Sequence, residues 1–262
     1  MTPQDKARLE AMKRTWEQRK KIGESLGRIK AKVGVYSGKG GVGKTTVAVN
    51  LAVTLAHRGY QVGLMDADID CPNVVPVIGV VEPVRYENER ILPPSAFGVK
   101  VVSMTFFQEN PAEAIIWRGP MLHNAINQLI QATEWGDLDF LIIDLPPGTS
   151  DVPLTIMQTL QVDGFVVVTT PQMLATMDAT RSINMIRKLN VRVLGIVENF
   201  SGEVFGSGAG KALATAMELP FLGRFELRAD YRKEWGPTVL VSDKVRKEYE
   251  AVADAVVRQL EA

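Results

Sequence analysis

The chain has 262 residues, enough for one large α/β domain, and its thirty Lys and Arg balance thirty Asp and Glu, so net charge points to neither nucleic acid nor an acidic membrane as partner. No apolar run approaches the roughly 20 residues that cross a bilayer, and the charged amino terminus does not read as a secretory signal, so a cytoplasmic location is expected. A single cysteine, Cys71, excludes an intrachain disulfide and a four-cysteine metal site within one chain.

Residues 1–30 read as a basic helical arm and residues 31–262 as the main domain. Within the first 32 residues ten Lys or Arg face Asp5, Glu10, Glu17 and Glu24, and Leu9, Met12 and Trp16 recur at helical spacing. That is the pattern of a solvated helix with one packed stripe; the sharper alternative is a docking arm for an acidic partner. Strands are then expected at 32–37, 61–65, 99–104, 139–144, 164–169 and 191–197. Several of them ("FLIID", "FVVVTT", "VLGIV") are apolar almost without alternation, as strands covered on both faces are. Helical patterns alternate with them at 44–58, 120–134, 151–160, 178–189, 210–218 and 244–260, and "ENERILPPSAFG" reads as a surface loop or small hairpin. Strand–helix repetition predicts an α/β fold, a mostly parallel sheet with helices on both faces.

The stretch "SGKGGVGKTT" lies between the first strand and the first helix. Gly38 to Thr45 satisfies the spacing of a phosphate-binding loop: Gly38, Gly40, Gly41 and Gly43 let backbone N–H groups of Lys39, Val42, Lys44 and Thr46 turn on an anion, and the helix adds its positive end. Lys44 would neutralise β/γ-phosphate charge and the Thr45 hydroxyl would ligate Mg²⁺. Asp144, ending the strand of "LIIDLPPG", has the form of a second Mg²⁺ group. A rival exists: Gly38, Gly40 and Gly43 also spell a dinucleotide fingerprint, with Asp66 in place of the ribose-binding acid. Lys44-Thr45-Thr46 argues against the rival, and ATP with Mg²⁺ is the expected ligand pair.

The earlier lysine, Lys39, adds a resemblance. "GKGGVGKTT" resembles the deviant Walker A of the MinD/ParA/NifH/ArsA-like P-loop ATPases, in which that lysine acts on phosphate across a dimer interface. The resemblance implies a homodimer in which Lys39 completes the site of the partner copy, a water-positioning role for Asp68 of "LMDADID", and a second switch at Asp144 and "LPPGTSD". Within that group "MDADIDCPNV", "IIWRGPM", "LIIDLPPGTSDVPLTIMQ", "TTPQ", "VLGIVENFS" and "LPFLGRF" are similar to blocks of the Mrp/ApbC family, ATP-dependent iron–sulfur cluster carriers, across roughly residues 30–240. The resemblance also gives the Asn199 amide to the adenine edge. The alternative within the wider group is a MinD/ParA-like positioning or scaffold-regulating ATPase. No client, nucleic acid or membrane partner is legible.

The chain departs from the family after "VENFS". A loop with C-x-x-C, thought to bridge a [4Fe–4S] cluster between two subunits, is replaced by "GEVFGSG", and no C-x-x-C occurs anywhere in the chain. A resident cluster is therefore doubtful. Cys71, in the switch I block, reads as a small buried packing residue beside the nucleotide, the alternatives being a thiolate ligand or an intersubunit disulfide. His57 suits a helix C-terminus, His123 reads as surface or packing, and Arg118 reads equally as a dimer or switch brace and as a structural ion-pair partner.

Overall fold

The computed structural model describes residues 23, 26–88, 90–107, 119–232 and 236–262. The proposed N-terminal arm lies almost wholly outside them, as do Trp117, Arg118 and the side chain of His123. In chain order the first strands and helix are β1 (Ile29–Tyr36), α1 (Lys44–His57) and β2 (Val62–Asp66). There follow α2 (Val74–Ile78), β3 (Arg85–Glu87), β4 (Arg90–Leu92), β5 (Ser95–Ala96), β6 (Val99–Ser103) and α3 (Gly119–Ala132). Then come β7 (Leu138–Asp144), α4 (Asp151–Leu160), β8 (Gly164–Thr169), α5 (Met173–Lys188), β9 (Val193–Ser201), α6 (Ala209–Ala216), β10 (Phe221–Glu226) and α7 (Asp243–Glu261).

Among the described residues the main sheet has the order β10-β9-β8-β1-β7-β2-β6-β5, and every pair in it is parallel except β5 with β6. Side chains alternate across it. Phe140 and Ile142 of β7 and Val166 and Val168 of β8 enter one layer, with Leu51 and Leu55 of α1 and Tyr249, Val252 and Val256 of α7. Leu141, Ile143, Phe165 and Val167 enter the other, with Leu129 of α3, Ile156 of α4 and Ile183 of α5. Because both faces are covered, the strands need apolar residues at every position, and the period of two is hidden in the sequence. Helix α7 shows its period openly: Val245, Tyr249, Val252 and Val256 are buried, Ser242 Oγ caps its start by accepting the Val245 N–H, and Tyr249 stacks on Phe225 at 3.9 Å between centroids.

The expected strands and helices form, with instructive shifts at their ends, but β10 at one edge of the main sheet and the short α2 had no expected counterpart: the buried Leu222 and Phe225 of β10 lie three apart, off a strand's period of two. Helix α5 begins at Met173, five residues ahead of the expected start, because Met173, Leu174 and Met177 are 72%, 62% and 47% exposed and so supply no core-facing period. Strand β9 runs on to Ser201 because the polar Glu198 and Asn199 are buried with their hydrogen bonds made. The "ENERILPPSAFG" stretch forms the antiparallel hairpin β3–β4 and then the edge strand β5.

Candidate functional site

The parallel strands end at one edge, and the glycine-rich loop emerges there from the centre of the sheet, between β1 and α1. The loop is shaped from within and below. Ser37 Oγ donates to the Lys39 carbonyl at 3.0 Å, the Gly148 N–H donates to the Ser37 carbonyl at 3.0 Å, and the Tyr36 hydroxyl donates to the Gly148 carbonyl. Burial pushes the Tyr36 phenol up to about 12, so it stays a donor. These bonds tie the phosphate loop to the β7–α4 loop carrying "PPGTS".

Two glycines are required by geometry. Gly43 caps α1 at φ 80°, and a Cβ there would stand 2.3 Å from Asn199 Nδ2. A Cβ on Gly38 would stand 2.2 Å from the Asp178 carbonyl oxygen of α5. No side chain caps α1, so its first N–H groups remain oriented towards the loop, and Gly40 and Gly41 are exposed at the mouth. An anion cradle of backbone donors at a positive helix end is the result.

Lys44, the first residue of α1, is 6% exposed, and its Nζ stands 2.6 Å from Oδ1 of the fully buried Asp144. Thr45 Oγ1 donates to Oδ2 of the same carboxylate at 2.6 Å. Burial pushes the Asp144 carboxyl up, while the Lys44 ammonium and both hydrogen bonds pull it back. The hydroxyl and carboxylate oxygens lie side by side at the foot of the cradle, the hard donor pair that suits Mg²⁺. Lys39 is half-buried at the loop's apex and, unlike Lys44, takes part in none of the ion pairs among the described residues. Val42 is buried, and Thr46 is half-buried with its carbonyl accepting from Asn50 Nδ2 at 2.8 Å.

Asp68 is 6% exposed, and its Oδ1 accepts the Cys71 N–H at 3.2 Å. Burial pushes its carboxyl up, opposed first by the charge of Lys44, which places it in the field of the phosphate site. Asn199 lies beneath the loop, its Nδ2 donating to the Val42 carbonyl at 2.8 Å. This bond props the phosphate loop, a role the sequence does not suggest; the amide's second N–H and its carbonyl are the atoms an adenine edge would require.

Two readings change. Cys71 is exposed, not buried beside the nucleotide: the 67–74 loop turns the Cys71 N–H inward onto Asp68 and its side chain outward. Asp66 does not face outward as a ribose-binding acid. It is fully buried, in register with Asp144 on the adjacent strand, and accepts from three donors. Burial and the neighbouring Asp144 charge push its carboxyl up to about 7. Asp66 and Ser103 thus join the site; the hint in the sequence was the D-x-D of "MDADID" at a strand end. His57 is exposed at the end of α1, as expected.

Comparison with known proteins supplies the family. A family model described as "ParA: NUBPL iron-transfer P-loop NTPase" matches residues 28–260, a span holding every site residue above. A protein of Methanococcus maripaludis described as an iron-sulfur cluster carrier protein is 37% identical over 260 residues, 93% of this chain and 90% of the relative. A protein of Deinococcus radiodurans with the same description is 46% identical over 219 residues, 79% of this chain and 61% of that relative's length. A solved nucleotide-binding protein from Archaeoglobus fulgidus, in complex with ADP, superposes with a TM-score of 0.71 at 31% identity, covering 90% of this chain and 92% of that one. The phosphate loop, the Lys44–Asp144–Thr45 contact and these matches leave no place for the dinucleotide reading: the chain is a P-loop ATPase and belongs to the NUBPL-type iron-transfer family of ParA-like P-loop NTPases.

Proposed function

We propose that the chain is a Mg²⁺-dependent ATPase switch that works as a homodimer in the assembly or delivery of iron–sulfur clusters, in the cytoplasm, without a C-x-x-C cluster site of its own. The carrying observation is the contact of Lys44 and Thr45 with Asp144 beneath an uncapped, glycine-lined helix start. On this reading the N–H groups of residues 38–46 bind the phosphates, Lys44 moves from Asp144 to β/γ-phosphate oxygens, and Thr45 and Asp144 hold Mg²⁺. Held there, Mg²⁺ would supply positive charge to offset the negative charge that builds on the phosphate during hydrolysis. The Asp68 carboxylate accepts a hydrogen bond from the attacking water and holds it in line with the γ-phosphorus. The water oxygen bonds to phosphorus, the bond to the β–γ bridging oxygen breaks, ADP leaves with that electron pair, and the water's protons end on the phosphate product and solvent. Asn199 reads the adenine edge.

Lys39, outside the described ion pairs, is the residue that acts on the partner copy's phosphates. Lys39→Ala should lower ATP turnover by at least about tenfold while ATP binding changes little. An equal loss of both would make Lys39 an ordinary ligand of its own chain's nucleotide. The carrier description belongs to the relatives, and the client is a protein that receives or supplies metal clusters. Anaerobic incubation with iron and sulfide should leave the dimer without a stoichiometric cluster, yet addition of the protein with ATP should speed cluster transfer to an apo-ferredoxin. No effect on transfer, together with ATP-dependent co-sedimentation with liposomes or DNA, would favour the positioning ATPase instead.

A further inference from the structure

The carboxylate of Asp66 gathers three donors from three parts of the chain. Its Oδ1 accepts the Asp68 N–H at 3.2 Å, and its Oδ2 accepts the Val74 N–H at 3.0 Å and the Ser103 hydroxyl at 3.2 Å. Asp68 stands near the start of the 67–74 loop and Val74 opens α2 at its end, so one carboxylate closes the loop from both sides. Ser103, at the end of β6, accepts the Thr105 N–H at 3.2 Å and so anchors the cluster to the next strand. The loop is also pinned to β7, through the Ala67 N–H on the Asp144 carbonyl at 2.9 Å. Asp68, carried between these fixed points, has its own carboxylate 6% exposed and bonded to the Cys71 N–H.

A buried carboxylate with three donors is an expensive arrangement unless the bonds matter, and each one here ends on the segment bearing Asp68 or on its support. We propose that Asp66 is a positioning residue for hydrolysis: it staples the 67–74 loop so that the Asp68 carboxylate stays turned into the phosphate site, and it acts through Asp68 rather than as a ligand of the metal or the nucleotide. This rests on the reading of Asp68 as the group that orients water.

The test is single-turnover ATP hydrolysis, with ATP and Mg²⁺ titrations, in wild type, Asp66→Asn, Ser103→Ala, Asp68→Asn and the double variants with Asp68→Asn. Asparagine presents a donor where Asp66 has an acceptor, so at least one of the three bonds must fail. Asp66→Asn should lower the rate about tenfold or more, with half-saturation by ATP and by Mg²⁺ moved less than about threefold, and it should lose this effect in the Asp68→Asn background. Ser103→Ala, which removes a single hydroxyl, should lower the rate about 2–5-fold and likewise fall silent beside Asp68→Asn, which keeps the test open if Asp66→Asn does not fold. Multiplying effects in the double variants would overturn the proposal, as would a tenfold rise in the Mg²⁺ requirement of Asp66→Asn, which would make it a metal group. A wild-type rate in Asp68→Asn alone would sink the reading of Asp68 and the proposal with it, and that arm tells the two failures apart.

Discussion

Two loops at the same edge of the sheet are built alike and differ in one occupant. The phosphate loop and the β9–α6 loop each leave a buried parallel strand, run through glycines and enter a helix whose cap is a left-handed glycine, Gly43 at φ 80° and Gly208 at φ 98°, with no capping side chain on the cap residue itself. In the second loop the carboxylate of buried Glu198 already fills the helix start, accepting the Gly208 N–H at 2.9 Å and the Gly210 N–H at 2.6 Å. In the first, the nearest carboxylate, Asp144, is taken up by Lys44 and Thr45, and the helix-start donors are left to a ligand. A glycine-capped helix end is therefore a phosphate site or a structural corner according to whether the protein supplies its own anion.

That contrast can be broken at both loops. Gly43→Ala should have the largest effect: the left-handed backbone strains any Cβ, and this one meets Asn199 Nδ2 at 2.3 Å. A loss of about 2–4 kcal/mol in stability and at least about tenfold in ATP affinity is expected from melting curves with and without ATP. Adding Asn199→Ala should return part of the stability by clearing the contact. Glu198→Gln comes next. Glutamine can accept from only one of the two N–H groups, so stability should fall by about 1–3 kcal/mol while the ATP-induced shift in melting temperature is kept. Loss of that shift would mean that the second loop also serves the nucleotide. Gly206→Ala should be smallest, about 1 kcal/mol from its φ of 77° alone, since its Cβ would meet nothing within 4 Å. Hydrolysis should be unchanged in that variant.

The same contrast marks the limit of what the sequence could reveal. "SGKGGVGKTT" and "SGEVFGSGAGK" are both glycine-rich runs between a strand and a helix, and only the lysines and the threonine of the first announce a ligand. That Glu198 would fold back onto Gly208 and Gly210 depends on β9 continuing through polar residues, which an apolar pattern cannot register. Asp66 was visible as half of a D-x-D, yet its place opposite Asp144 requires β2 to pair with β7, whose partner residues lie 78 positions further along the chain. Cys71 looked like packing because a lone cysteine without a basic neighbour or a second ligand usually is; the turn that exposes it is set by its own N–H bonding to Asp68.

By itself the sequence determined the alternating strands and helices, the phosphate loop with Lys39, Lys44 and Thr45, and the acidic strand ends, because strand, helix and glycine-turn preferences act over a few adjacent residues. The tertiary structure decided which carboxylates meet, which N–H groups they take and which helix end stays open. Those outcomes follow from the strand order β1-β7-β2, which brings Lys44, Asp144 and Asp66 together from three separate stretches of chain. Buried charges must find partners wherever the sheet puts them, and no local pattern records where that will be.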